Sequence, residues 1–206
     1  MAIKAVVFDI GGVLEITPGT GWDEKWEARL GLQPGELPQR LRTPWTGGSI
    51  GTVSEEEVET STREILGLDQ EQLEEFMSDL WDDYLGTLNV ELAAYFAGLR
   101  PRYKTGILSN SFVGAREKEQ ERYGFGDMCD VIVYSHEVGM KKPDRRIYQL
   151  LCERLGVQPW EVIFLDDVPQ AIEAAQEVGI HGIVFKNTAQ AIADIEACIR
   201  SQNDKA

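Results

Sequence analysis

Grouped positive charge is scarce in this chain of 206 residues: 20 Lys and Arg stand against 35 Asp and Glu, a formal net charge of −15. Binding to a nucleic-acid backbone needs clustered cations that displace counterions, so polynucleotide partners are excluded. Cysteine is scarce too. Cys129, Cys152 and Cys198 lie far apart at no metal or redox spacing, and an odd count of so few fits the reducing cytoplasm. His136 and His181 have no companions at ligand spacing and are expected to be structural or on the surface. No basic-then-apolar segment occupies Met1-Ala2-Ile3-Lys4, and no apolar run approaches membrane-spanning length, so no membrane association is expected. Repeats and low-complexity tracts are missing as well. Nothing selects between a monomer and a small homo-oligomer.

What is present is an ordinary globular composition, 43% hydrophobic, long enough to bury a substantial core. Five apolar runs read as buried parallel strands: 3–8, 104–109, 131–135, 162–166 and 182–185. Amphipathic helical patterns at 113–123, 144–155, 169–178 and 189–200 separate or follow the later ones. This alternation predicts an α/β fold, a Rossmann-like parallel sheet covered by helices on both faces. The exception is the long gap between the first two strands, itself helical in pattern. It begins with loop residues 17–21, then a helix over 22–30 that Gly31 stops. Ser54-Glu55-Glu56-Glu57 reads as a capping box, and Asp69 opens a helix with apolar residues at helical spacing from Leu73 to Leu85. A last helix over 90–99 leads back to the sheet.

The gap therefore reads as an all-helical insertion over 15–100, with 1–14 and 101–200 forming the core domain and 201–206 a disordered tail. The insertion holds 6 Lys and Arg against 18 Asp and Glu, a net −12. That charge fits solvated helix faces, and alternatively a surface that repels polyanions. Trp22, Trp26 and Trp45 read as packing or as pocket walls, and 45–51 as a specificity loop or a plain turn between helices.

Chemistry collects at the carboxyl ends of the strands, where open α/β sheets bind ligands. The first strand delivers Asp9 into Ile10-Gly11-Gly12-Val13, and a carboxylate there needs a partner, a metal or a reaction. Ser109-Asn110-Ser111 follows the second strand, with hydroxyl and amide groups suited to anionic oxygens. Lys142-Pro143-Asp144 precedes a helix, and Asp166-Asp167 ends a strand. The acids make an oxygen-rich site that suits Mg²⁺. With a lysine and a hydroxyl beside a nucleophilic carboxylate, they describe phosphoryl transfer through an aspartyl-phosphate.

This ordered set resembles the haloacid dehalogenase superfamily, in its phosphatase-like branch. Asp9-Ile10-Gly11-Gly12-Val13 resembles its first motif, Leu108-Ser109-Asn110 the second, Lys142-Pro143-Asp144 with Ile147-Tyr148 the third, and Asp166-Asp167 with Ala171 to Ala175 and Gly179 the fourth. The resemblance implies a helical cap after strand one that closes over a small phosphomonoester. It implies Asp9 as nucleophile and metal ligand, and Lys142 as the residue stabilising its charge. Ser109, Asn110 and Gly12 are implied at the phosphoryl group, and the Gly11 carbonyl, Asp166 and Asp167 at Mg²⁺.

One departure matters. The superfamily's phosphatases usually place a second Asp, the acid and base of the reaction, where this chain has Gly11. Glu15, Asp23 and Glu24 are nearby substitutes, each with a solvated alternative. A 2-haloacid dehalogenase-type hydrolase needs no such acid, but neither does it need Asp166-Asp167, and the nearest Arg behind Asp9 is the distant Arg29. A catalytically silent binding protein on the same fold is the third reading.

Overall fold

The computed structural model describes residues 2–17 and 19–203. Strand β1 (Ala5–Phe8) is followed by a short strand β2 (Glu15–Ile16) and by helices α1 (Trp22–Leu30), α2 (Glu36–Arg40), α3 (Arg42–Ser49), α4 (Glu55–Leu66) and α5 (Gln70–Leu85). A second short strand, β3 (Thr87–Leu88), leads into α6 (Val90–Leu99). The remainder alternates: β4 (Lys104–Ser109), α7 (Ala115–Tyr123), α8 (Phe125–Met128), β5 (Val131–Tyr134), α9 (Ser135–Val138), α10 (Arg145–Leu155), β6 (Val162–Asp166), α11 (Pro169–Glu177), β7 (His181–Val184) and α12 (Thr188–Asn203).

The main sheet runs β5-β4-β1-β6-β7 with every neighbouring pair parallel. Alternate residues of β1 point to opposite faces, and both faces are covered. Val6 and Phe8 join Leu92 and Phe96 of α6 and Ile195 of α12; Ala5 and Val7 join Ile147 and Leu151 of α10 and Ile172 of α11. That double burial is why the strand reads as an unbroken apolar run. The Phe8 and Phe96 rings stack with centroids 4.6 Å apart, a pairing worth about 1 kcal/mol beyond its buried area. Strand order reverses at β1, so its carboxyl end opens a crevice between β4 and β6.

The insertion is not wholly helical. At its base β2 and β3 pair antiparallel, Glu15 opposite Leu88 and Ile16 opposite Thr87, which ties the outgoing and returning chains together. Ser54 and Asp69 both close capping boxes, with Glu57 and Gln72. Residues 42–49 are helix α3, neither loop nor plain turn. Its Gly47 and Gly48 are buried; a Cβ on Gly48 would meet the Phe112 ring at 2.6 Å, so small residues serve close packing there. Helix α6 packs into the cluster on one face of the sheet, whereas Trp26, Leu37, Leu41, Phe76 and Trp81 form a separate cluster with Ala115 of α7. Ser201 to Asn203 continue α12, so the expected disorder does not begin at 201; residues 204–206 lie outside the described residues, as do Met1 and Pro18. Among the described residues no helix is long and apolar enough to cross a membrane.

Candidate active site

β1 carries the chain into the crevice, and a backbone bond from Asp9 N to Leu165 O, 2.9 Å, extends its pairing with β6 by one residue. The Asp9 side chain is thereby sealed between strands, 6% exposed, and its Oδ1 accepts from Ile10 N at 2.8 Å. Lys142 Nζ bridges two carboxylates, 2.7 Å from Asp9 Oδ1 and 2.6 Å from Asp166 Oδ2. Asp166 is fully buried, and its other oxygen accepts from Val168 N at 2.7 Å. Two buried anions around one buried cation leave negative charge uncompensated, a costly state in a low-dielectric interior. Burial accordingly pushes the Asp9 carboxyl up to about 7 against the opposing pull of Lys142, with Asp166 adding to the rise. For Lys142, burial works to lower the ammonium's pKa, but Asp9 and Asp166 outweigh it and raise it. Asp167 is raised by burial and by Asp166.

The other motif residues arrive at the same crevice. Ser109 is the last residue of β4, 2% exposed, paired in register with Tyr134. Asn110 spends its amide on Lys142: Nδ2 donates to Lys142 O at 3.0 Å, and Oδ1 accepts from Lys142 N at 2.8 Å. That grip fixes the segment carrying the ammonium, whose Lys142–Pro143 peptide is cis. Gly12 has φ +75, and its N donates to Glu15 O at 2.8 Å, so its amide serves the turn. A Cβ on Gly12 would lie 2.3 Å from Asp167 Oδ2, whereas one on Gly11 would meet nothing within 4 Å. Asp9, Gly11, Asn110, Lys142, Asp166 and Asp167 line one cavity of about 300 Å³.

Asp9, Asp166 and Asp167 each offer an oxygen, all within 4.8 Å of one another. An all-oxygen, carboxylate-rich set with uncompensated charge fits a hard divalent cation such as Mg²⁺. The side-chain-free Gly12 leaves room for the Asp167 carboxylate in that set.

Sequence reasoning weighed Glu15 mainly as a solvated acid and passed over its partners. Glu15 is 1% exposed and Glu119, on α7, is fully buried; Oε1 of each has no hydrogen-bond partner. Tyr134 donates to Glu119 Oε2 at 2.5 Å, and Tyr84 of α5 is among the groups that act on the same carboxyl. Burial, then Glu119, pushes Glu15 up to about 9, and burial with Asp9 pushes Glu119 up to about 7. Tyr84 also lines a second cavity of about 260 Å³ under the insertion, with Trp22, Trp45, Phe112, Asn110 and Ser111. Asn110 is a wall of both cavities, which makes them neighbours. Of the three tryptophans, Trp26 is packing, fully buried with Nε1 donating to Asp79 at 2.7 Å; Trp22 and Trp45 are pocket walls. Asp23 and Glu24 sit in the first turn of α1, with Glu24 exposed. His136 is structural, its Nδ1 2.6 Å from Ser111 Oγ.

A family model described as haloacid dehalogenase-like hydrolase matches residues 3–179. The chain belongs to that family. Among curated relatives it is 28% identical over 216 residues to the bifunctional epoxide hydrolase 2 of Sus scrofa, covering 95% of this chain and 39% of that protein. It thus spans well under half of that relative's length. It is 31% identical over 202 residues to phosphatase MT3486 of Mycobacterium tuberculosis, covering 92% of this chain and 90% of the relative. A haloacid dehalogenase family enzyme of Bacteroides thetaiotaomicron, crystallised with magnesium and inorganic phosphate, superposes with TM-score 0.76 at 24% identity, covering 89% of this chain and 94% of its own. The family resemblance and the α/β fold expected from the motifs are both found. This member of the family has phosphatase relatives and an acidic cluster of the kind its strand ends suggested.

Proposed function

We propose that this protein is a Mg²⁺-dependent hydrolase of small phosphomonoesters, acting in the cytoplasm through an aspartyl-phosphate on Asp9. The observation that carries the reading is the Asp9–Lys142–Asp166–Asp167 constellation, with an ammonium bridging two buried carboxylates and three carboxylate oxygens within 4.8 Å. Phosphatase relatives and the magnesium and phosphate bound by a structural neighbour support it. An Asp9 carboxylate oxygen attacks phosphorus, the ester bond breaks, and water then cleaves the acyl phosphate. Lys142 opposes the burial that favours protonated Asp9, and it faces the charge that develops on the phosphoryl oxygens. Asn110 acts by fixing the Lys142 backbone, and Ser109 by offering a hydroxyl beside the nucleophile. Asp9, Asp167, the Gly11 carbonyl and Asp166 would hold Mg²⁺, which when bound supplies charge neutralisation to the phosphoryl oxygens.

In this reading residues 15–100 supply the cap and 1–14 with 101–200 the core, α6 of the former lying against the sheet. A 2-haloacid dehalogenase would need a cation for the substrate carboxylate, and Arg29 is instead held 2.5 Å from Glu75.

The test is phosphate release from p-nitrophenyl phosphate and a panel of small phosphomonoesters, with and without Mg²⁺, beside Asp9→Asn. Release that requires Mg²⁺ and is abolished in Asp9→Asn is expected. Activity retained in that variant removes the covalent step, and halide release from short 2-haloacids without phosphate release replaces the reading altogether.

A further inference from the structure

Resting on the phosphatase reading, we propose that Tyr84, backed by Glu119, transfers the proton that the missing side chain at Gly11 cannot, acting on the leaving oxygen from the cap side of the cleft. Three observations carry this. The first is placement. In-line attack by Asp9 pushes the leaving group away from β1, toward the insertion. The space there is the 260 Å³ cavity that shares Asn110 with the Asp9 cleft, and Tyr84 is one of its walls. The second is connection. Tyr134 holds Glu119 Oε2 at 2.5 Å and leaves Oε1 without a partner, and Tyr84 is among the groups that act on this carboxyl. A fully buried carboxyl oxygen left unsatisfied is expensive and marks a group kept for something besides packing. The third is the open space at Gly11, where no other atom takes the vacated position.

The groups that act on Glu119 are Tyr84 on α5, Tyr134 on β5, Glu15 on β2, Asp9 after β1 and Arg116 on its own helix. Their balance, with burial dominant, brings its carboxyl to about 7, where it exchanges a proton readily near neutral pH.

The step balances without any added reactant. As the bond between phosphorus and the leaving oxygen breaks, that oxygen takes the Tyr84 hydroxyl proton, and Tyr84 takes the Glu119 carboxyl proton. As water attacks the acyl phosphate, its proton passes to Tyr84 while the Tyr84 proton returns to Glu119. The bond from phosphorus to Asp9 breaks, inorganic phosphate leaves, and Glu119 is protonated again. Tyr84 is the catalytic group and Glu119 the positioning and proton-holding one.

The experiment compares kcat/KM, with Mg²⁺, for p-nitrophenyl phosphate, whose leaving group needs no proton, and for alkyl phosphates, whose leaving group does. Tyr84→Phe keeps the ring that packs against Trp81 with centroids 5.2 Å apart, and Glu119→Gln keeps the shape. Each is expected to lose roughly 10²–10³-fold on alkyl phosphates, the scale of positioned acid–base catalysis, and less than about threefold on p-nitrophenyl phosphate. Adding Gly11→Asp to Tyr84→Phe is expected to restore alkyl phosphate turnover. Equal losses on both substrate types, or no loss on alkyl phosphates, overturn the proposal while leaving the phosphatase reading standing. A loss that Gly11→Asp does not repair overturns it likewise. No release from any ester by the natural chain removes the phosphatase reading and this proposal with it.

Discussion

Gly11 and Gly12 sit side by side under opposite constraints. Gly12 has φ +75 and a Cβ position 2.3 Å from Asp167 Oδ2; Gly11 has open space around it. Gly12→Ala therefore strains the turn and displaces a carboxylate of the proposed metal set, while Gly11→Ala does neither. Isothermal titration should show Mg²⁺ affinity falling by roughly 10–100-fold in Gly12→Ala, the usual scale when a ligand's support is lost. Gly11→Ala, measured by thermal unfolding, should keep the fold. Equal Mg²⁺ affinity in Gly12→Ala and the natural chain would mean that Asp167 lies outside the metal set. At this scale Asp9, Lys142 and the Asp166-Asp167 pair were legible, because charged residues at strand ends stand out against apolar runs. Glu119 was not. The amphipathic pattern expected over 113–123 does not hold for its helix, Ala-Arg-Glu-Lys-Glu-Gln-Glu-Arg-Tyr, which has no apolar stripe to say which acid turns inward.

Elements show a similar division. Strand β4 and helix α1 match their expected bounds, and β6 does too, since a continuous apolar run and a terminating glycine are local signals. α3 escaped notice because Thr46, Gly47, Gly48 and Ser49 have loop composition. They are helical because neighbouring elements press on them. The Ser135 hydroxyl donates to Ser49 O at 2.7 Å, Val113 N donates to Gly48 O at 3.2 Å, and Gly51, φ +66, leaves only 1.8 Å between its Cβ position and His136 O. Gly51→Ala must move α3 off α9. It should destabilise the protein by roughly 1–3 kcal/mol in urea unfolding, the scale of overpacking at an interface. An unchanged unfolding midpoint would show that this contact gives way freely.

For the whole molecule, the relevant quantity is protons bound by the fold. Asp9 and Glu119 are pushed up to about 7 and Glu15 to about 9, with burial the leading cause in each case. A carboxyl raised in the folded state stabilises the fold fully below its unfolded pKa, and that contribution is lost as pH rises through the folded value. Folding stability in EDTA should therefore fall between pH 7 and 9, at up to about 1.4 kcal/mol per pH unit for each group still titrating. Glu15→Gln should flatten that fall. Urea midpoints at pH 7, 8 and 9 measure it, and a natural chain no weaker at pH 9 would mean that Glu15 is ionised in the fold.

The sequence by itself determined the parallel sheet, the helical insertion and the acids and lysine at successive strand ends, because burial on both faces, capping and chemistry at a strand terminus are written in contiguous residues. Only the tertiary structure decided which of the insertion's many acids lose their water, that Asn110 holds Lys142, and that Glu119 of α7 is buried with the Tyr134 hydroxyl on its carboxyl. Those outcomes depend on contacts between residues distant in the chain, and desolvation depends on every neighbour at once.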